Sequence, residues 1–198
     1  GRLASKASHR VMCAADFMGC RRFLLEAQHK RLYEKMPVPA EWHEAYADGN
    51  YSEALYYLER VQKLGIPDGN RDHILFATAE CYRMLQLHAQ ALDNYMTVAR
   101  RFPMSDKAPP SIYRAIEHAY NRRTNAFADS LFTVFSKKYR HHPIATAVWY
   151  TMGKLYYRAG RFGEACEVLE RIPAASARAT QAQFLCALAR CELHEWEK

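Results

Sequence analysis

The stretch Trp149–Pro173 reads WYTMGKLYYRAGRFGEACEVLERIP and decides the fold. Its apolar residues recur at intervals of three and four, which places them on one face of each of two helical segments. Gly160 separates the segments, and glycine suits the position just after a helix, where the backbone takes a positive φ. Ala165 follows in the second segment, where a small side chain lets antiparallel helices approach closely. The stretch therefore predicts a helical hairpin.

The same features recur along the chain with a period of 37 residues. An alanine column consists of Ala54, Ala91, Ala128 and Ala165. Two further columns lie four and seven positions later, and they consist of Leu58, Tyr95, Phe132 and Leu169 and of Val61, Val98, Phe135 and Ile172. These offsets mark one face of a helix, which we call helix B of each repeat. Two short helices cannot bury this face alone, so neighbouring repeats are expected to stack.

A second apolar stripe precedes each helix B and predicts a helix A. The stripe consists of Leu75, Thr78, Ala79 and Tyr82 in the second repeat, Ile112, Ala115, Ile116 and Ala119 in the third, and Trp149, Met152, Gly153 and Tyr156 in the fourth. We expect Ala79 and Gly153 to be the small residues at which helix A meets helix B. Asn50 and Asn125 are predicted to take the left-handed conformation near the other turns. Proline cannot donate to a helix ladder, so Pro67, Pro103, Pro143 and Pro173 are predicted to end the B helices.

These positions resemble the tetratricopeptide repeat. The residues that match its pattern are Trp149, Gly153, Tyr156, Gly160, Phe162, Ala165 and Pro173 in the fourth repeat and Leu75, Ala79, Tyr82, Ala91, Tyr95 and Pro103 in the second. The third repeat is degenerate, since Asn125 replaces the turn aromatic and Ala119 the helix A aromatic. The first, around Trp42, Tyr46, Tyr51 and Ala54, has a shortened helix A after Pro37 and Pro39. The resemblance covers about residues 38–198 and implies an all-α, right-handed α-solenoid of about four antiparallel helix pairs.

The two ends of the chain carry further expectations. Repeats are predicted at 38–72, 73–109, 110–145 and 146–178, with a partial fifth at 179–198. In the fifth, the helix A stripe is predicted at Phe184, Ala187, Leu188 and Cys191, and Trp196 is the turn aromatic, so the array is expected to stop within a repeat. Apolar residues between Ala7 and Met36 recur at helical spacing. Residues 1–37 are therefore predicted to form a helix that caps the array; the alternative is an amphipathic element that binds a membrane or a partner.

Composition and charge bound the class of partner. The chain has 198 residues, of which 49% are hydrophobic, and a formal charge of +7. Basic doublets lie at Arg21-Arg22, Arg100-Arg101, Arg122-Arg123 and Lys137-Lys138, and they suit nucleic acid, anionic lipid or acidic protein partners. They are not interleaved with aromatics as in a base-stacking platform, so the pattern disfavours a nucleic-acid partner, and solvated helix faces are expected. No uncharged stretch is long enough to cross a bilayer; peripheral or lipid-anchored association of a full-length protein stays open.

No residue pattern predicts a catalytic, metal or cofactor site. Cys13, Cys20, Cys81, Cys166, Cys186 and Cys191 lack zinc-ligand spacing and are expected to be small buried hydrophobes. His141 and His142 are adjacent, so their side chains point apart. Glu164, Glu167 and Glu170 are expected to form a solvated stripe on helix B. A protein without enzymatic activity and without a cofactor is therefore expected.

The resemblance implies that ligands bind in a concave groove lined by the A helices. The groove positions are Phe76, Arg83 and Met84 in the second repeat, Tyr113, Tyr120 and Asn121 in the third, and Tyr150, Lys154, Tyr157 and Arg158 in the fourth. Tyrosines with basic residues suit a peptide or protein segment of some acidic character. Each side chain could instead pack between repeats. The rival functions are nucleic-acid binding through the doublets and a small hydrophobic ligand within the superhelix; the sequence specifies neither the partner nor the oligomeric state.

The joints between repeats carry a finer resemblance. Arg100–Ala115, RRFPMSDKAPPSIYRA, and Lys137–Gly153, KKYRHHPIATAVWYTMG, are similar to joints of bacterial cell-envelope tetratricopeptide proteins. That group includes the lipoprotein of the outer-membrane barrel-assembly machinery and the periplasmic coordinators of envelope constriction. Phe102–Pro109 follows their pattern of aromatic-Pro-x-Ser-x-x-Ala-Pro, whereas the second joint departs from it at Arg140–Pro143. This implies a periplasmic or cell-envelope scaffold; the cysteines favour a reducing compartment and keep the cytoplasm as the alternative.

Overall fold

The structure, a computed structural model, describes residues 41–64 and 68–193. Within these ranges the chain forms α-helices and one short 3₁₀ segment, Asp68–Asn70, without any strand. The helices are α1 Glu41–Ala47, α2 Tyr51–Leu64, α3 Arg71–Met84, α4 His88–Arg101, α5 Ala108–Arg122, α6 Asn125–Lys138, α7 Ala145–Arg158, α8 Phe162–Leu169 and α9 Ala179–Glu192. The predicted capping helix over 1–37, Pro67 and Trp196 lie outside the described residues.

Short turns pair the helices into hairpins. α1 packs on α2, α3 on α4, α5 on α6 and α7 on α8, and each pair contacts the next one along the chain. α5 also contacts α7, and α7 contacts α9, so the A helices of the third, fourth and fifth repeats are neighbours. The all-α helical-repeat fold expected from the sequence is confirmed.

Each turn within a pair places one residue in the left-handed region. These residues are Gly49, Gln86, Arg123 and Gly160, with φ of 75°, 62°, 57° and 73°, and they are again 37 residues apart. The prediction for Gly160 is confirmed, but Asn50 and Asn125 are not left-handed. Asn50 instead precedes α2, where its Oδ1 accepts a hydrogen bond from the backbone N–H of Glu53 at 3.4 Å, and Asn125 is the first residue of α6. Asn50 directly follows the left-handed Gly49, in the place where a helix N-terminus gains from a polar side chain. Before α6 that place is held by Thr124, which makes no side-chain cap hydrogen bond.

The prolines after the B helices act differently from one another. α4 ends at Arg101, directly ahead of Phe102 and Pro103, as predicted. α6 and α8 end earlier than expected, at Lys138 and Leu169, and hydrogen-bonded turns follow before Pro143 and Pro173. Those two prolines therefore do not end their helices.

Small residues lie where the two helices of each pair meet. Ala54, Ala128 and Ala165 are fully buried, and Ala91 is 3% exposed; Ala91 shares a core cluster with Ala79 of α3. In the fourth pair a Cβ added to Gly153 would lie 2.5 Å from both Cγ and Cδ2 of Leu169. The predicted contact of Gly153 with helix B is confirmed, since the space that a methyl group needs is already filled by Leu169.

The inner A helices bury more than the predicted stripe. In α3, Ile74, Ala77 and Cys81 belong to one core cluster with residues of α2, whereas Ala79 belongs to another with Tyr95 of α4. An A helix within an array contacts helix B of its own pair and helix B of the preceding pair, so two of its sides are covered. The prediction of a single buried stripe therefore did not include Ile74, which is buried. Two residues that the predicted stripe did include, Leu75 and Tyr82, are only half-buried.

α9 buries a different stripe from the predicted one. Ala179, Ala182, Cys186 and Ala189 are buried, and all but the first belong to the core cluster shared with α7 and α8. The predicted stripe of Phe184, Ala187, Leu188 and Cys191 is exposed. The period explains the error, because Cys186, and not Phe184, follows Trp149 by 37 residues. The expectation of a buried Cys191 is thus wrong, while Cys81, Cys166 and Cys186 are buried as expected.

Gly153→Ala tests the close approach of helix A and helix B. Overpacking costs about 1–3 kcal/mol, and the better helix propensity of alanine offsets it by about 1 kcal/mol. We expect a net loss of unfolding free energy in urea denaturation. Gly163→Ala is the matched control, because nothing lies within 4 Å of its added Cβ, and it should be neutral or stabilising. If Gly153→Ala proves as stable as Gly163→Ala, the packing described here is wrong.

Candidate functional site

Basic side chains lie against tyrosine rings where α5 and α7 adjoin. The Nζ of Lys154 lies 4.8 Å from the ring centroid of Tyr120 and 5.1 Å from that of Tyr150. The Cζ of Arg158 lies 3.9 Å from the Tyr120 centroid, and its Nη2 donates to the Tyr120 backbone carbonyl. Cations at these distances are attracted by the negative face of an aromatic ring. Four of the predicted groove residues thus form one cluster.

Arg178 belongs to the same cluster and was not predicted. Its Cζ lies 5.3 Å from the Tyr150 ring centroid, and it directly precedes α9. The sequence prediction considered only helix A positions, whereas Arg178 lies in the joint between repeats. The one signal in the sequence is that Arg178 is the single charged residue between Ile172 and Ala179. We call Tyr120, Tyr150, Lys154, Arg158 and Arg178 the cation–tyrosine cluster.

The three cations of this cluster form no ion pair with a carboxylate of the described part of the chain. Three other arginines near the A helices are neutralised locally: Arg83 pairs with Glu80, Arg114 with Glu80 and Glu117, and Arg161 with Asp129 and Glu164. The cluster is therefore a site of unneutralised positive charge on the helix A side.

A second polar network surrounds Glu80, which is 7% exposed. Its carboxylate accepts hydrogen bonds from the Tyr95 hydroxyl, from Arg83 Nη2 at 2.7 Å and from Arg114 Nε at 3.0 Å. Burial alone would raise the pKa of Glu80, but the hydrogen bonds from Arg83 and Tyr95 and the charge of Arg114 together lower it. Glu80 therefore stays ionised and links α3 to α4 and α5.

The remaining predicted groove residues do not join the cation–tyrosine cluster. The Phe76 ring packs on Tyr95, with centroids 5.8 Å apart, and the Tyr157 ring packs on Phe162 at 5.4 Å. Tyr113 is half-buried beside Arg114, whose Cζ lies 5.9 Å from its centroid. Arg83 is held by Glu80, while Met84 and Asn121 are exposed. The assignment of these six residues to a ligand groove stays a prediction.

One group of side chains has the geometry of a metal site. Donor atoms of Asp72, His73 and Asp106 lie within 4.8 Å of one another. Asp106 Oδ2 lies 2.7 Å from Lys107 Nζ, its Oδ1 lies 3.3 Å from His73 Nε2, and Asp72 accepts a hydrogen bond from the Ser105 hydroxyl. Because these partners already satisfy the carboxylates, the group is explained as a link between α3 and the joint before α5, and a cation would have to displace Lys107.

The buried thiols and the helix B glutamates do not form a reactive site. Cys166 is buried beside Ala165 and donates to the Cys186 carbonyl at 3.4 Å. Burial, with the hydrogen bond between the Cys186 and Cys166 side chains, raises the pKa of Cys186 to about 12, which disfavours the nucleophilic thiolate. Glu164, Glu167 and Glu170 are exposed as expected, but the first pairs with Arg161 and the third with Arg190.

Glu80→Gln should destabilise the array by about 2 kcal/mol at neutral pH, because it leaves Arg83 and Arg114 without their shared carboxylate. The pKa of Glu80 is lower in the folded chain than its usual 4.5. Its contribution is thus fully present above the unfolded value and is lost as the pH falls through the folded value. Urea denaturation from pH 7 to pH 3 should show the difference between the two proteins shrinking below about pH 4. A difference that does not depend on pH would contradict the ionised network.

Comparisons with known proteins support the repeat assignment. Residues 147–175 match the family model of the tetratricopeptide repeat. The chain is also 52% identical, over 56 residues, to a UPF0282 protein of Methanosarcina mazei, and this match spans 28% of the chain and 18% of that protein. The second match is too short to transfer a function. Tetratricopeptide repeats generally mediate protein–protein interactions and are usually found in non-enzymatic scaffolds. The match to the family model, together with the helix pairs, supports a helical-repeat protein of the tetratricopeptide type.

Proposed function

We propose that this protein is a non-catalytic scaffold that binds a peptide or protein segment on the helix A surface of its third to fifth repeats. The cation–tyrosine cluster is the observation that supports this proposal. Tyrosine and arginine are enriched at protein interfaces, because each combines a large contact area with polar groups that fix orientation. The cluster also draws its side chains from α5, α7 and the joint before α9, so a segment lying across it would contact the third and fourth repeats and the start of the fifth.

The exposure of the cluster argues against a purely structural role. Tyr120, Tyr150 and Lys154 are half-buried, and Arg158 is exposed. In the Glu80 network, by contrast, the carboxylate is buried and all its partners come from the chain itself. The hydrogen bonds of the Glu80 network are satisfied without a ligand, so a role in stabilising the fold is enough to explain it. The cations of the cluster form no ion pair with a carboxylate of the described residues, so they have unused capacity to bind an acidic group of a partner.

The positions of the basic doublets weaken the nucleic-acid alternative. Arg100 and Arg101 lie in the last turn of α4, Arg122 in that of α5, and Lys137 and Lys138 in that of α6. Cations at helix C-termini stabilise the helix through its dipole. The described doublets therefore have a structural explanation at the ends of their helices.

A carrier of small hydrophobic molecules is also less well supported. A pocket of about 490 Å³ lies between α4, α5 and α6. Its lining includes Asp93, His118, Arg122 and Thr124 beside Leu92 and Phe127. Small-molecule sites bury most of the surface of their ligand, whereas this pocket is open to solvent and has two charged side chains in its lining. It therefore does not suit a hydrophobic ligand.

A role in assembly or maintenance of the bacterial cell envelope belongs to the same proposal, and it rests on the resemblance of the joint Phe102–Pro109. None of the helices in the described ranges combines the length and the apolarity needed to cross a membrane. Fractionation of cells that express the full-length protein decides between the envelope and the cytoplasm, and recovery in the cytosol alone would contradict an envelope role.

Tyr120→Ala combined with Tyr150→Ala tests the binding surface. Peptides are first selected on the purified protein from a displayed library of random 16-residue sequences, and their Kd is measured by fluorescence anisotropy. Loss of aromatic anchors of this kind costs about 2 kcal/mol or more, so we expect the double variant to bind at least tenfold more weakly. Tyr56→Ala is the control, because Tyr56 is an exposed tyrosine on the B helix α2.

Unfolding of the double variant is excluded by circular dichroism, and Arg158→Glu provides a second variant at an exposed position. The proposed surface would be refuted if the selected peptides had the same Kd for the double variant, for Arg158→Glu and for the Tyr56→Ala control.

A further inference from the structure

The position of Lys154 carries a glutamate in the two preceding repeats. Glu80, Glu117 and Lys154 follow one another at the 37-residue period and so occupy the same place on helix A. Glu80 neutralises Arg83 and Arg114, and Glu117 accepts a hydrogen bond from Arg114 Nη1 at 2.8 Å. The second and third repeats therefore contain their own anion at this position.

The fourth repeat reverses the charge at the same position. Lys154, Arg158 and Arg178 surround Tyr120 and Tyr150, and among the described residues no carboxylate pairs with them. Cations held near one another repel, and the ring faces offset this repulsion only in part. An anion placed on the cluster would relieve the repulsion and would take over the role that Glu80 and Glu117 have in their own repeats.

An apolar surface continues from the cluster onto α9. Phe184 and Leu188 are 66% and 37% exposed, and a spacing of four residues places them on one helix face. They follow Ala147 and Thr151 of α7 by 37 residues, just as Ala187 follows Tyr150. Phe184 and Leu188 therefore extend the surface that carries Tyr150 and Lys154. α9 begins directly after Arg178, so the apolar pair lies next to the cations along the array.

From this juxtaposition we propose that the ligand is an acidic peptide segment with bulky apolar side chains. A side-chain carboxylate binds the cation–tyrosine cluster, and a neighbouring leucine or phenylalanine covers Phe184 and Leu188. This inference rests on the proposed function and specifies its ligand. A peptide suits both halves of the surface, because one short segment supplies a carboxylate and an apolar side chain a few residues apart. A single-stranded nucleic acid would place phosphates on the cations and bases on the rings, so it is the competing ligand in the test below.

Three fluorescein-labelled 16-residue peptides test the proposal against the whole protein. The first repeats Glu-Glu-Leu-Phe, the second replaces each Glu by Gln, and the third replaces Leu and Phe by Ala. We expect the first to bind at least tenfold more tightly than either of the others in anisotropy at 150 mM NaCl. Its advantage over the glutamine peptide should shrink at 500 mM NaCl, since screening weakens charge interactions at an exposed surface.

Lys154→Glu should weaken binding of the acidic peptide at least tenfold and leave the glutamine peptide almost unchanged. Lys138→Glu is the matched control, because it makes the same change of charge at an exposed residue of α6 and should alter the Kd less than twofold. Lys154→Met keeps an unbranched apolar side chain at this position, so it replaces the glutamate variant if that variant loses its helical spectrum.

Three outcomes would overturn the inference. The first is that the wild-type protein binds the acidic and glutamine peptides with equal affinity, or that it binds neither peptide at a concentration of 1 mM. A Kd of 1 mM corresponds to only about 4 kcal/mol of binding free energy. The second is an equal loss of affinity with Lys138→Glu and Lys154→Glu. The third is tighter binding of a labelled 30-nucleotide single strand than of the acidic peptide. If library peptides still depend on Tyr120 and Tyr150 but show no acidic preference, the proposed function stands and this inference fails.

Discussion

The close approach of two helices at a small residue is the constraint on which the rest of this structure depends. Ala54, Ala91, Ala128 and Ala165 are all buried at the same place in successive pairs, and Gly153 leaves no room for a methyl group against Leu169. Contacts this close fix how helix B lies on helix A. Because the unit returns every 37 residues, every helix A then presents the same positions to the same side of the array.

This regularity separates the residues that pack from those that are free to vary. The alanine column is invariant across the four pairs, whereas the position of Glu80 changes to Lys154 two repeats later. The charge of the helix A surface can therefore change from repeat to repeat without disturbing the core. In the second and third repeats the surface charges are used to join helices. In the fourth, Lys154 and Arg158 form no ion pair with a carboxylate of the described residues, and this is the physical basis of the proposed function.

The sequence predicted the features that depend on local spacing. The helix pairs, the alanine column, Gly153 and the left-handed Gly160 could be found because a short period fixes each of them. It missed features that depend on which helices become neighbours. Ile74 is buried by the preceding pair, and Arg178 reaches Tyr150 from a joint and not from a helix. The shifted stripe of α9 was an error of alignment, since strict use of the period would have selected Cys186.

The most direct measurement of the central constraint is made in the third repeat, whose aromatic positions depart from the family pattern. Ala128 and Ala126 lie on the same helix, α6, the first buried and the second exposed. If the repeat depends on the alanine contact and not on the aromatic residues, Ala128→Leu should lower the free energy of unfolding by about 2 kcal/mol. Ala126→Leu should change it by less than about 0.5 kcal/mol. Equal unfolding free energies for the two variants would show that the helices of this pair do not meet at Ala128 and would contradict the account.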